Sequence, residues 1–344
     1  MKKHIFIITL FVFYNFHAQS GFETIFLADK NDSKKIISSY FAPRIEGYLS
    51  GLNNGWFYSA KSHKPFGFDF SVNLVNVIYT NDDEVFNTEN LSSLNLPSGS
   101  LIGTTSLGEK TTTPFSVTKT VNGNNVTANG IFNGGTDGSF FNKTSSIPIA
   151  QIGVGISNGF DLMLRLTPEI KLNNGNESLS VLGFGCKKEV TNWFPKSTKL
   201  PLHLSIIAGY TLMTANYGIE NKSFPSGNES GIQVQNAISE FSLRSFTLQT
   251  IGSLEWNTFS FFGSIGYYNG NSNFRTTGNF KAKYKGAINP EIEDLDIPQD
   301  IKFNVSNFSA TIGSRINLRY FKIFGSFSIQ EFKTTSLGIA FSIK

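Results

Sequence analysis

The sequence predicts an all-β fold: a transmembrane antiparallel β-barrel of roughly 10 to 14 strands, about 12 as the central value, with a short N-terminal helical plug. Three observations predict it. Strict two-residue alternation recurs from residue 65 to the end, and its polar face is Gly, Ser, Thr and Asn rather than Lys and Glu. Charged residues make up only 16% of the chain, against the quarter or so of an average soluble domain, while there are 34 Phe and 32 Gly. Links between the alternating runs are short and long by turns, as in barrels with short periplasmic turns and longer outer loops.

Taken in order, residues 1–20 read as a cleavable export signal. Lys2 and Lys3 precede an apolar run from Ile5 to Phe16, and Ala18-Gln19-Ser20 supplies the small-x-small cleavage pattern. The run falls short of the roughly 20 residues that a spanning helix needs. Residues 21–64 form the plug. Asp32-Ser33 can cap a helix through Lys34, Ile36, Ile37, Tyr40 and Phe41, Pro43 interrupts it, and Ile45, Tyr48 and Leu49 continue a second short helix. The turn-rich patch Gly51-Leu52-Asn53-Asn54-Gly55-Trp56 follows.

Residues 65–344 form the barrel. Phe66, Phe68, Phe70, Val72 and Leu74 alternate with Gly67, Asp69, Ser71 and Asn73, so one face meets lipid and the other water. The same pattern places Ala150, Ile152, Val154 and Ile156 on one strand and Phe160, Leu162, Leu164 and Leu166 on the next, with the tight-turn pair Asn158-Gly159 between. Further faces run through Leu202–Leu212, Phe246–Trp256, Phe259–Tyr267, Phe308–Leu318, Phe321–Ile329 and Leu337–Ile343. Short links fall at 157–159, 257–258 and 319–321, a medium one at 190–199, and long polar ones at 81–146, 214–238 and 286–300. The 81–146 stretch is either an outer loop or, through Phe115–Thr118 and Val126–Asn129, a further hairpin. A secreted β-sandwich also alternates, but its outer faces would carry Lys, Glu and Arg. Aromatic residues near strand ends (Trp193, Phe194, Trp256, Tyr320, Phe321) fit interfacial girdles.

The segment Ser50–Asp69, the run Ala150–Gly155 and the closing run from Gln330 to Phe341 together resemble an uncharacterised family of outer-membrane proteins from Bacteroidetes-type bacteria. The resemblance implies a signal-bearing barrel and no particular activity. A more distant likeness, in layout alone, is to the outer-membrane long-chain fatty-acid transporter family, whose barrels hold an N-terminal helical hatch.

The candidate site residues sit where plug meets barrel. Asn53, Asn54 and Trp56 can line a ligand pocket or simply form the turn that leads into the wall. Lys61 and His63 read as a basic periplasmic rim, where the lysines flanking His63 disfavour its protonated form. Asp69, Asp161, Arg165, Glu169, Arg244, Glu255, Arg315 and Arg319 fall on expected luminal positions, where charge tunes what binds or passes. His203 and Ser205 share a strand face at the spacing of a lipid hydrolase, but no third partner is evident, and no catalytic residue is assigned. One cysteine, Cys186, and two histidines after the leader cannot build a His/Cys metal cluster. The acidic stretch Glu291, Glu293, Asp294 and Asp296 lacks the glycine and terminal Glu of a calcium loop. No cofactor is implied. A net charge of +4 without a basic block excludes a nucleic-acid partner.

These readings lead to a monomeric outer-membrane protein in contact with lipid and lipopolysaccharide. The expectation for its function is a transporter or selective channel for small hydrophobic molecules. A non-transporting structural or interaction protein is the alternative, and an outer-membrane hydrolase the third.

Overall fold

A computed structural model of the chain describes residues 22–96, 101–121, 123–135, 144–172, 177–194, 201–227, 229–285 and 290–343. The leader expected over residues 1–20 lies outside them. A 3₁₀ turn (Phe22–Leu27) leads into helix α1 (Lys30–Gly51). The strands are β1 (Phe68–Ile78), β2 (Val85–Thr88), β3 (Leu94–Asn95), β4 (Leu101–Thr104), β5 (Thr111–Val121), β6 (Asn124–Gly134), β7 (Thr144–Gly155) and β8 (Phe160–Leu172). They continue with β9 (Glu177–Glu189), β10 (Leu202–Ile219), β11 (Gly231–Glu255), β12 (Phe259–Tyr284), β13 (Glu291–Asp294), β14 (Ile301–Leu318), β15 (Phe321–Ile329) and β16 (Thr334–Ile343). Ten of them close into an antiparallel ring in the order β1, β7, β8, β9, β10, β11, β12, β14, β15, β16, the last pairing back onto β1.

Ten lies at the lower bound of the expected range. The two further strands suggested within 81–146 do exist, as β5 and β6, but they pair with each other and with β3 in a separate sheet outside the ring. Residues 214–238 are less of a loop than expected: β10 runs to Ile219 and β11 begins at Gly231.

Lipid solvates the outward positions. Phe68, Phe70, Ile152, Leu162, Leu164, Phe184, Phe246, Leu248, Phe259, Phe261, Phe308, Phe321, Leu337 and Ile339 are all exposed. On β12 this face is apolar from Phe259 to Tyr267 and then turns to Asn269, Asn271 and Asn273. About 9–11 residues per strand suffice to cross a bilayer, so a 26-residue strand stands well clear of it.

Above the belt the polarity inverts. The inward positions of β11, β12 and β14 become Val234, Phe241, Phe274, Phe280, Ile301 and Phe303, all buried. They enclose one hydrophobic cluster with Ile36, Ile37 and Tyr40 of α1, Phe115, Val117, Ala128 and Phe132 of the β5–β6 hairpin, and Ile25 and Phe26 of the first turn. Each such side chain contributes about 1.5–3 kcal/mol by leaving water. The result is a headpiece with its own core at the loop end of the barrel.

The headpiece fixes the start of the chain. Glu23 pairs with Lys222, Thr24 donates to Ile131 O at 2.6 Å, and Phe26 meets Phe280 edge to face. Asp29 caps α1 by accepting from Asp32 N at 2.8 Å. The break expected at Pro43 does not occur, and α1 runs through it as one helix. A mid-helix proline costs about 3 kcal/mol, and burial of Ile36, Ile37, Tyr40, Ile45, Tyr48 and Leu49 around it offsets that cost. Small residues bring the helix against the wall: Gly47 abuts Tyr79, Gly51 abuts Val77 and Ile147, and Gly270 of β12 receives Leu49.

From Leu52 the chain continues through the lumen and reaches the turn end, where Phe66 N donates to Gly155 O and Gly155 N to Gly67 O, both at 2.8 Å. Helix α1, the turn-rich patch and the wall follow in chain order, and the segment threads the whole barrel from the loop end to the turn end.

Two outcomes test this arrangement. With Cys186 replaced by Ser, Lys34→Cys is expected to react with a membrane-impermeant maleimide on intact cells, and Lys61→Cys only after the outer membrane is permeabilised; the reverse pattern would invert the threading. The second concerns Glu46 of α1, whose carboxyl is pushed up to about 7 by burial and then by Glu331 and Asp83. A carboxyl with a raised folded-state pKa stabilises the fold fully below its unfolded value and loses that contribution as pH climbs through about 7. Protease resistance of α1 should therefore fall between pH 5 and pH 8 in the wild type, and Glu46→Gln should flatten that dependence.

Candidate functional site

The lumen is the only place where the plug, the wall and most of the buried charge meet among the described residues. Its upper level is organised by Arg165, an inward residue of β8 that is fully buried. The guanidinium donates to Leu52 O at 3.0 Å, Asn54 O at 2.7 Å and Gln151 Oε1 at 2.9 Å. It also lies 3.5 Å from the centroid of the Trp56 ring. No carboxylate faces it among the described residues. Leu52 caps α1, so the cation sits at the negative end of the helix dipole, and carbonyl dipoles and an aromatic face take the place of a counter-ion.

Trp56 is the wedge. Its ring occupies the space left by two inward glycines, Gly185 of β9 and Gly209 of β10, where a Cβ would come within 2.6 and 2.5 Å of it. Met163, Ile207 and Ile251 complete its surroundings. Asn53 and Asn54 anchor the turn. Ser245 Oγ donates to Asn53 Oδ1 at 3.1 Å, Gln249 Nε2 to Asn53 O at 3.2 Å, and Ser328 Oγ to Asn54 Oδ1 at 2.6 Å. Gly55 adopts φ +72°, open to glycine, and Asn73 Nδ2 holds its carbonyl at 3.0 Å.

The lower level is a network of charges gripping residues 58–63. Tyr58 donates to Asp69 and stacks on Phe324 at 4.7 Å. Ser59 donates to Glu255, whose other oxygen meets Arg315 at 2.8 Å. Ala60 N donates to Ser253 Oγ at 3.0 Å, and Ser205 Oγ donates to Ala60 O. Lys187 bridges Asp161 at 2.9 Å and Lys61 O at 3.0 Å. Ser62 gives both its amide and its hydroxyl to Glu189 Oε2, at 2.8 and 2.7 Å. His63 places its amide 3.0 Å from Asp161 Oδ1 and its Nδ1 3.1 Å from Oδ2. Buried charges are tolerated when each is paired and hydrogen-bonded, as here.

Of the residues singled out from the sequence, Asn53, Asn54, Trp56, Asp69, Arg165 and Arg315 come together in this lumen, joined by Asp161 and Glu255. They hold the plug. Lys61 is exposed at the turn end, and only its backbone is engaged. His63 departs from its expected basic setting: Asp161 Oδ2 lies 3.1 Å from its Nδ1 and Asp69 Oδ1 4.0 Å from its Nε2.

Arg244 is not luminal. It shares parity with Phe246 and Leu248 on β11 and points outward, exposed, beyond the apolar belt. Glu169 is exposed because the register shifts between Thr167 and Ile170, and Arg319 lies in the exposed β14–β15 turn at φ +56°.

The hydrolase constellation does not assemble. Ser205 is committed to Ala60 O, while His203 Nδ1 pairs with Glu189 at 2.7 Å. Lysines take up the acidic stretch: Glu293 meets Lys119 at 3.2 Å, Asp294 meets Lys281 at 3.2 Å, and Asp296 meets Lys30 at 2.8 Å. Sequence reasoning missed Tyr58, Gln151, Lys187, Glu189 and Gln249. The available signal was Gly183, Gly185 and Gly209 at inward positions, which announces a bulky object inside the ring.

Trp56→Ala is expected to destabilise the barrel by about 3–5 kcal/mol, and Arg165→Met by a similar amount, since three oxygens lose their donor at about 1–3 kcal/mol each. Arg165→Lys should not rescue, because one ammonium cannot span those acceptors and the ring together. Urea titration followed by heat-modifiable migration measures all three; wild-type midpoints would refute the anchoring role.

No curated protein matches the chain. Among solved structures, it is similar to the outer-membrane protease OmpT of Escherichia coli at 8% identity, over 83% of this chain and 100% of that one, with a TM-score of 0.33. It is similar to Ail, the attachment invasion locus protein of Yersinia pestis, at 9% identity over 81% and 100%, with a TM-score of 0.26. A third is the translocator domain of the autotransporter NalP of Neisseria meningitidis, at 10% identity over 89% and 96%, with a TM-score of 0.24. Nothing of their activities carries over at these values. Residues 1–343 match one family model across nearly the whole chain, and the protein belongs to that family, the family of unknown function DUF6588.

Proposed function

We propose that this protein is a closed outer-membrane barrel that displays its headpiece at the cell surface as a structural or interaction module. The reading rests on one observation: residues 52–63 fill the lumen and are pinned at two levels, by Arg165 above and by Asp161, Lys187, Glu189, Glu255 and Arg315 below. A ring of about eight strands is filled by its own side chains and an open channel needs about 16. A ten-stranded ring needs only a modest filler, and the plug is one. Transport of small hydrophobic molecules would require this segment to leave. That means breaking several buried charge contacts together, each leaving a group in low dielectric without a partner.

In this reading the export signal is removed, the loop end faces outward, and the protein acts as a monomer in contact with lipid and lipopolysaccharide. No chemistry is assigned to it. On β5 and β6 of the headpiece, Thr112, Thr118, Thr120, Asn125, Thr127 and Asn129 are exposed, with Ile131 among them. Such a face meets water or a polar partner.

Proteoliposome swelling with sugars and amino acids tests the reading. The wild type is expected to match protein-free vesicles. A control links plug to wall through Ala60→Cys with Ser253→Cys, positions whose backbone amide and side chain already touch at 3.0 Å, on a Cys186→Ser background. Swelling by the wild type that the oxidised pair abolishes would sink the closed-barrel reading and restore a plug-gated transporter.

A further inference from the structure

The outer face of β11, β12 and β14 changes character just above the apolar belt. Phe246, Tyr267 and Phe308 are the last outward aromatics on these strands, and all are exposed. Two or four residues further along, Arg244, Asn271 and Asn304 stand in one cross-strand row, since Arg244 pairs with Asn271 and Asn271 with Asn304. The next row holds Ser242, Asn273 and Lys302.

The four side chains of Arg244, Asn271, Asn304 and Lys302 make no hydrogen bond or ion pair among the described residues, and all are exposed. Elsewhere on this face the charges are matched. Arg275 pairs with Asp300 at 3.1 Å and stands opposite Glu240 in register. Arg244 is therefore a cation left without an anion, and Lys302 makes no contact pair, sharing Asp300 with Arg275 only through space. At about 4.8 Å per strand and about 3.4 Å per residue, their Cα atoms lie about 12 Å apart.

We propose that this face binds the phosphorylated, sugar-bearing headgroup of a glycolipid in the outer leaflet. Arg244 and Lys302 take anionic phosphates, and Asn271 and Asn304 between them take sugar hydroxyls. The inference rests on the reading that the loop end faces outward. Position carries it. The row continues directly from the lipid-facing belt, so the groups that touch it are those attached to the acyl chains touching Phe246, Tyr267 and Phe308. Arginine offers two parallel donors to a phosphate, and an amide can both donate to and accept from a hydroxyl. A soluble protein partner would meet a flat row with no buried aromatic anchor, which is poor interface chemistry.

The test uses the full-length protein in detergent micelles. Native mass spectrometry compares binding of lipid A with that of the same lipid A stripped of its phosphates. The wild type is expected to bind the phosphorylated form at least tenfold more tightly. Arg244→Ala with Lys302→Ala should lose about tenfold while keeping heat-modifiable migration, since neither side chain holds the fold. Asn271→Ala with Asn304→Ala should lower affinity for both forms equally. Equal binding by wild type and the cation variant overturns the proposal, as does equal binding of the two lipids. A wild-type dimer that the cation variant converts to monomer without lipid would make the face a self-interface and overturn it as well. Because binding is read in micelles, it is independent of orientation: maleimide labelling that placed the loop end in the periplasm would fail the orientation alone.

Discussion

The structure depends on a cation at the end of a helix. Helix α1 enters the ring C-terminus first, which brings a set of unsatisfied carbonyls into a space with no bulk water. Arg165 meets them. Its donors reach Leu52 O and Asn54 O, and its plane covers Trp56. The pairing is mutual: the carbonyls lack a donor without the guanidinium, and the guanidinium lacks a counter-charge without the helix end. Trp56 then fixes the lateral position by filling the notch above Gly185 and Gly209, so the plug is seated against the β8–β11 side rather than centred. Everything from Tyr58 to His63 follows from that seating, because the chain is already at the right wall when it reaches Glu189, Asp161 and Ser253.

Two solvents explain the rest. Below Tyr267 the outward positions face lipid and the inward ones a polar plug, so the strands are apolar outside and mixed within. Above it the outward positions face water and the inward ones a dry core. A single 26-residue strand, β12, carries both patterns without changing parity; only the chemistry on each parity exchanges. This exchange lets one sheet serve as membrane wall and as half of a soluble domain, and it explains why the chain is low in charge yet rich in exposed Asn, Ser and Thr.

How much of this could be read beforehand follows from the same physics. Two-residue alternation is a local signal, and it exposed the wall strands wherever both faces were distinct, as in Phe66–Leu74 and Ala150–Ile156. It is faint in β9, where inward Gly183 and Gly185 leave nothing to alternate with. The alternation of short and long links marked the two ends of the barrel. Pro43 looked like a break because local propensity favours one; tertiary burial on several sides overrode it. Arg244 was misplaced although its parity with Phe246 was visible, because charge on a strand was read as luminal, when a strand longer than the membrane can present charge on either face. The plug's partners were invisible for another reason. Ser59 with Glu255, and Ser62 with Glu189, are 196 and 127 residues apart, and no local pattern encodes such pairs.

The threading also constrains assembly. β1 pairs on one side with β7 and on the other with β16, the last strand of the chain. The segment immediately before β1 lies inside the ring, and its far end is tied to the headpiece by Glu23, Thr24 and Phe26. A helix is about 10 Å wide with its side chains, and this one spans 22 residues. Passing it through a ring already closed would mean unfolding it and breaking the lower charge network in transit. The lower-energy order is for β7 to β15 to curl around the plug while the sheet is still open. The β1–β16 ladder then seals it in: ten register pairs from Phe68 opposite Ile343 to Val77 opposite Thr334. In that order the plug is a template for the ring rather than an insertion into it. The inward glycines of β9 and β10 then serve assembly as well as packing, since they admit the Trp56 ring while the wall is still closing around it.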